Sequence, residues 1–261
     1  MAAVQPAADD PFPSWFDSLE QRHLSDLDFP EVRRALQALS RWYVEKREAR
    51  GSVRSGAVLD GRGKRAAFAL FYGPIHFLVV RHIVAELGAA SAPLSRILDL
   101  GCGTGTGGAA WALQFDSRPP SLSGVDTNAW AVSEARWTWQ RLGIPGRATK
   151  GDLSRVRLPG RESGILAAYV ANELNAEARQ AMLQRLLDAA GRGARVLVIE
   201  PIARRIVPWW DEWARVFEQR GGRADTWRFR ASLPERLRLL DRAAGLDHDE
   251  LTARSLYLGG A

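Results

Sequence analysis

The chain of 261 residues holds one cysteine, Cys102, so neither an internal disulfide nor a cysteine-rich metal site can be built from it. Lysine is nearly as scarce: Lys46, Lys64 and Lys150 are the only lysines among 36 basic residues. No uninterrupted apolar run approaches the ~20 residues that cross a bilayer. Candidates such as 75–80 and 196–199 are far shorter. Residues 1–10 lack the basic-then-apolar order of a signal peptide, which sets the expectation of a cytoplasmic protein. No Gly-Lys-Ser/Thr follows the glycine-rich segment of the chain, which excludes a phosphate-binding P-loop.

What is present is globular in proportion, with 46% hydrophobic and 25% charged residues. The net charge of +6 permits an anionic partner such as RNA. An arginine-heavy coding bias would give the same charge without one. Over 192–242, 12 arginines face seven acids and Trp209, Trp210 and Trp213 cluster. Aromatics among cations suit RNA contact. A solvated, salt-bridged helical surface is the competing reading.

Hydrophobic spacing divides the chain. Residues 1–13, rich in Ala, Pro and Asp, read as a flexible tail. Residues 14–90 read as a helical extension, a possible lid or substrate-binding part. Within it, Phe29-Pro30-Glu31 starts a helix carrying Val32, Leu36, Leu39 and Tyr43 on one face. Residues 50–64 read as a glycine-bearing loop. A helix follows over 65–87, bent near Gly73-Pro74 and apolar almost all round, hence buried. From 91 to 261 strands alternate with helices. Strands are expected over 96–100, 122–126, 148–152, 164–171, 195–200, 223–229 and near 254–258. Helices are expected over 106–115, 129–142, 176–190, 209–220 and 234–244. That alternation predicts an α/β fold, a doubly wound and mostly parallel seven-stranded sheet.

The chemistry concentrates where the first strand ends, in Asp99-Leu100-Gly101-Cys102-Gly103-Thr104-Gly105-Thr106-Gly107-Gly108. Glycine allows positive φ and close approach of backbone to a ligand. A helix N-terminus beginning there offers free N–H groups. Asp126 closes the second strand, Asp152 the third, Asn172-Glu173 the fourth and Glu200-Pro201 the fifth. Each has a structural alternative: Asp126 or Asn172 as a helix cap, Asp152 as a turn residue.

This arrangement resembles the class I, Rossmann-like methyltransferases that use S-adenosyl-L-methionine (SAM). Their first motif, an acid closing a strand before Gly-x-Gly-x-Gly, is matched by Asp99, Gly101, Gly103 and Gly105. The resemblance implies a SAM-dependent transferase with SAM as cofactor. Asp99, directly or through water, and Gly101, Cys102, Gly103 and Gly105 would meet the methionine end and sugar. Asp126 and Thr127 would meet the ribose, Asp152 and Leu153 the adenine. Asn172 would position the cofactor or acceptor. Glu173 is the candidate polar group beside the acceptor, and Tyr72 a second catalytic candidate from the extension. The extension is also faintly similar to methyltransferase-like proteins of the small ribosomal subunit, but their cysteine cluster is missing. The acceptor is open between small molecule, RNA and protein. Two alternatives stand beside it. One is a SAM-fold RNA-binding or assembly factor without turnover. The other is an NAD-dependent oxidoreductase, since Gly103-x-Gly105-x-x-Gly108 fits its fingerprint, although three residues late.

Overall fold

The computed structural model describes residues 10–25, 27–48 (42–48 as backbone only), 59, 61–116, 118–203, 207–246 and 248–259. Most of the expected tail (1–13), most of the loop expected over 50–64 and the side chain of Tyr43 lie outside the described residues.

Two compact units emerge. One runs to His76 and takes in Arg228–Leu251; the other comprises Phe77–Trp227 and the chain from Thr252. This division differs from a single boundary near residue 90. The stretch 228–251 leaves the second unit, and the final strand returns to it.

The first unit is helical. Helix α1 (Phe12–His23) begins inside the expected tail. Its prolines fit the first turn, and Phe12, Trp15, Phe16 and Leu19 are buried at helical spacing. Helix α2 (Phe29–Glu48) opens on a reciprocal cap. The Glu31 N–H donates to Asp28 Oδ1 (2.7 Å) and the Asp28 N–H to Glu31 Oε2 (3.0 Å). Val32, Leu36 and Leu39 are fully buried, as their spacing predicts. Helix α3 (Arg62–Ala67) runs into a π-helical turn, Phe68–Tyr72, and then into α4 (Gly73–Glu86). The Gly73 N–H reaches back five residues to the Phe68 carbonyl. Pro74 has no N–H and its ring crowds the carbonyl four residues earlier, so the wide turn absorbs the expected bend. The 25-residue stretch Arg62–Glu86 is long and apolar enough to cross a membrane, yet most of it is buried within the protein.

The second unit is built on one seven-stranded sheet. Its strands are β1 (Arg96–Leu100), β2 (Ser121–Asp126), β3 (Gly146–Lys150), β4 (Ser163–Ala168), β5 (Arg195–Glu200), β6 (Arg223–Phe229) and β7 (Leu251–Leu258). The order is β3-β2-β1-β4-β5-β7-β6. The first five pair in parallel and β7 runs antiparallel to β5. The expected α/β sheet is therefore present. Helices α5 (Thr106–Ala112) and α6 (Ala129–Arg141) follow β1 and β2. Helices α7 (Ala176–Gly191) and α8 (Trp210–Gln219) follow β4 and β5. Helix α9 (Glu235–Ala243) belongs to the first unit, where Gln37 Nε2 donates to the Ala243 carbonyl (2.9 Å).

Strand alternation aims the site. On β1, Leu98 and Leu100 enter the core shared with Leu183, Leu186, Leu187, Trp213 and Phe217 of α7 and α8. Ile97 and Asp99 therefore face the other side, toward α5. The strand order changes direction between β1 and β4, whose carboxyl ends carry Gly101 and Asn172. In a doubly wound sheet ligands bind in the crevice at that point.

Candidate active site

The loop after β1 takes three left-handed turns within five residues: Gly101 (φ 64°), Gly103 (φ 51°) and Gly105 (φ 79°). A side chain at any of them would be strained. At Gly101 an added Cβ would also lie 2.4 Å from Val170 Cγ2. At Gly105 it would lie 2.9 Å from the Ala135 backbone and 2.6 Å from Trp139 Nε1. The loop holds its own shape through Gly105 N–H to the Cys102 carbonyl (2.7 Å) and Cys102 N–H to the Val125 carbonyl (3.1 Å).

Asp126 joins this loop to the end of β2. Its Oδ2 accepts from the Gly103 N–H (3.0 Å) and its Oδ1 from the Asn128 N–H (2.8 Å). Each carboxylate oxygen carries two lone pairs, so both retain accepting capacity. Partial burial raises its pKa, and those backbone hydrogen bonds oppose the rise. The cap of α6 is Asn128, whose Oδ1 accepts from Trp130 and Ala131 N–H groups. Asp126 is thus left facing the loop.

Asp99 lies deeper. It is buried, and its Oδ2 accepts from the Gly108 N–H (2.9 Å) in the first turn of α5. The carboxylate does for that helix what a capping acid does, from the neighbouring strand. Burial pushes its pKa up to about 7, against the opposing Gly108 hydrogen bond. Gly108 has to be glycine for this contact, since a Cβ there would lie 2.8 Å from Asp99 Oδ2.

Two adjacent strand ends form a second cluster. Glu200, fully buried, accepts from the Asn172 N–H (Oε1, 3.1 Å) and from Asn172 Nδ2 (Oε2, 2.7 Å). Burial drives its pKa up to about 8 despite these donors. The amide nitrogen of Asn172 is committed, and its Oδ1 is the atom that remains for a ligand. Tyr169 turns the chain out of β4 at φ 60°, a left-handed conformation unusual outside glycine. Burial and the Glu200 carboxylate push its phenol above the usual range.

Residues 97–193 match a protein-family model described as a methyltransferase domain. A search of curated proteins finds no match. A candidate O-methyltransferase from Nostoc punctiforme PCC 73102 is 14% identical and superposes with a TM-score of 0.53, over 93% of this chain and 71% of that one. At that identity the likeness speaks to the fold. The magnesium protoporphyrin IX methyltransferase of Synechocystis PCC 6803, crystallised with S-adenosylhomocysteine (SAH), is 16% identical, covering 87% of this chain and 96% of that one, with a TM-score of 0.46.

The sheet gathers Gly101, Cys102, Gly103, Gly105 and Asp126 at one end, with Asn172 and Glu173 following the neighbouring strand. The Cys102 side chain is buried against Gly124, where an added Cβ would lie 2.8 Å from its Sγ. That leaves its backbone for any ligand contact, and burial raises the thiol pKa. Thr127 is exposed beside Asp126. Asp152 is exposed and caps the 3₁₀ turn Leu153–Arg155 through the Ser154 N–H (2.9 Å), which lowers its pKa. The Leu153 carbonyl accepts from Arg185 Nη1 (2.9 Å). Glu173 sits in a 3₁₀ turn, Ala171–Glu173, half-buried. Tyr72 belongs to the first unit, its ring edge-on to Phe71 (5.2 Å between centroids).

Two contributors escape sequence reasoning. Trp139 Nε1 donates to the Gly105 carbonyl (2.7 Å), across 34 positions of sequence. The Asn172–Glu200 pair spans 28. Polar residues closing adjacent parallel strands are the one sequence signal for the second.

Proposed function

We propose that this protein transfers the methyl group of SAM to an acceptor bound beside Asn172. The observation that carries the reading is the Asp126 carboxylate, 3.0 Å from the glycine loop with lone pairs to spare. A vicinal diol such as ribose needs an acceptor of that kind. The residues fit the cofactor in charge as well. No lysine or arginine stands in 99–108, so the loop has nothing for a phosphate and tolerates a sulfonium and an ammonium group.

SAM supplies an activated methyl group on a positively charged sulfur, so the protein's work is alignment and exclusion of water. The glycine loop would bind the methionine part and Asp126 the ribose. The Asn172 Oδ1, fixed in orientation by Glu200, would accept a hydrogen bond from an N–H or O–H of the acceptor. Glu173, next in sequence, would take up a proton where the acceptor has one to lose. Asp99 supports the loop from behind by fixing α5.

Tritiated SAM incubated with the purified protein and separate RNA, protein and small-metabolite fractions tests this directly. Label transferred to one fraction, and lost with Asn172→Ala while SAM binding persists, supports it. Binding of SAM with no transfer to any fraction would contradict it.

A further inference from the structure

A trough of about 940 Å³ opens at the opposite end of the sheet, where β1 and β4 begin. Five arginines line it, Arg96, Arg157, Arg161, Arg185 and Arg192, with Asp188 as the one acid. Arg96 opens β1 and pairs in register with Ser163, the first residue of β4 and itself part of the lining. The glycine loop follows the other end of β1, five residues on. At about 3.3 Å per residue that is roughly 16 Å away, so the trough is a separate place.

Two of the arginines have structural work. Arg185 donates from Nη1 to the Leu153 carbonyl and from Nη2 to the Val156 carbonyl. Arg192 Nη2 donates to the Leu158 carbonyl (3.1 Å). Together they pin the segment 153–158 against α7. Gly160 lets the next turn close on Arg192, whose carbonyl would lie 3.0 Å from an added Cβ. The frame is therefore braced. Arg96, Arg157 and Arg161 are exposed, and their side chains make no hydrogen bond or ion pair among the described residues. Three cations with no protein partner converge on one concavity, beside two more that are only partly satisfied.

We infer that this trough binds the phosphodiester backbone of a single nucleic-acid strand. Guanidinium groups match phosphate oxygens in geometry and charge. The lining has no aromatic side chain on which a base could stack. Contact would therefore be with phosphates, without reading of base sequence. Small-molecule sites are enclosed and mostly apolar. This trough is open and mostly polar, the shape for a chain that enters and leaves. Of the segment 192–242 the trough takes only Arg192, so the inference places the nucleic-acid contact away from its tryptophans, and it stands whether or not methyl transfer occurs.

The test is fluorescence anisotropy with a labelled oligouridylate of twelve residues. Arg96→Gln/Arg157→Gln/Arg161→Gln is compared with wild type and with Arg215→Gln/Arg220→Gln/Arg230→Gln, which removes equal charge elsewhere. The trough variant is expected to bind at least tenfold more weakly. Its slope of log affinity against log salt should flatten by about 2, for three lost phosphate contacts at ~0.7 each. The control triple should stay within about twofold of wild type. Melting temperature and SAM affinity should be unchanged in both, since Arg185 and Arg192 are left in place. Equal weakening by the two triples, or none by the trough variant, would overturn the inference. So would displacement of the RNA by micromolar pyrophosphate, which would assign the trough to a small phosphate ligand.

Discussion

Asp126 Oδ2 lies 3.0 Å from the backbone nitrogen of Gly103, so the end of β2 grips the loop that ends β1. One carboxylate thereby shapes the loop and faces the space beside it. Removing it is expected to cost ligand affinity more than fold. Charge-assisted hydrogen bonds are worth roughly 1.5–3 kcal/mol, which is a ten- to hundredfold loss. Wild-type protein should melt a few degrees higher in SAM at about 100 times its Kd. Asp126→Ala should lose that rise at the same SAM concentration while still unfolding cooperatively.

Gly105 is held from two sides. Its carbonyl accepts from Trp139 Nε1 (2.7 Å), and its φ is 79°. Gly105→Ala meets the Ala135 backbone and strains φ, so a loss of about 2–4 kcal/mol is expected. Trp139→Phe keeps most of the packing and removes only the donor, for about 1–3 kcal/mol. Urea midpoints measure both, and Gly105→Ala should be the more damaging.

These two contacts show what the sequence discloses and what it hides. Strands β1 and β5 are legible to the residue, because short apolar runs bounded by turns or charges have little freedom of register. Strand β3 was expected over 148–152 and runs Gly146–Lys150. Gly146 looks like a breaker, yet it opens the strand because Trp139 packs where its Cβ would be, 2.7 Å away. Asp152 falls past the strand and caps the turn instead. Strand β4 stops at Ala168, short of 171, because Tyr169 turns left-handed. Backbone geometry was legible wherever a motif is local, as in the left-handed glycines of Gly101–Gly105. It was not where a group's role depends on a distant partner, as with Asp99 tethered to Gly108 inside the fold.

Asp99 and Glu200 give a pH dependence of definite sign. Their folded pKa values, about 7 and about 8, stand above the ordinary values of 3.8 and 4.5. Between pH 4 and 7 the folded protein keeps protons that the unfolded chain has released. Stability therefore falls as pH rises through that window. At 1.36 kcal/mol per pKa unit, Asp99 accounts for at most about 4 kcal/mol. Asp99→Asn keeps an oxygen for Gly108 and cannot titrate. Melting temperatures between pH 5 and 8 should fall less steeply in this variant than in wild type.

The pairing of Glu200 with Asn172 predicts a different signature. Glu200→Gln sets an amide donor against Asn172, whose two N–H groups need acceptors. A loss of about 1–3 kcal/mol in transition-state stabilisation is expected, expressed in kcat more than in the KM for SAM. Initial rates at varied SAM check this. An unchanged kcat with a raised KM would place Asn172 on the cofactor rather than on the acceptor.

Isothermal titration of the purified protein with SAH tests the central claim most directly. The account predicts a single site with micromolar or tighter affinity, weakened ten- to hundredfold by Asp126→Ala and untouched by the trough substitutions. Folded protein that releases no heat with SAH or SAM, yet binds NAD in the same cell, would contradict it.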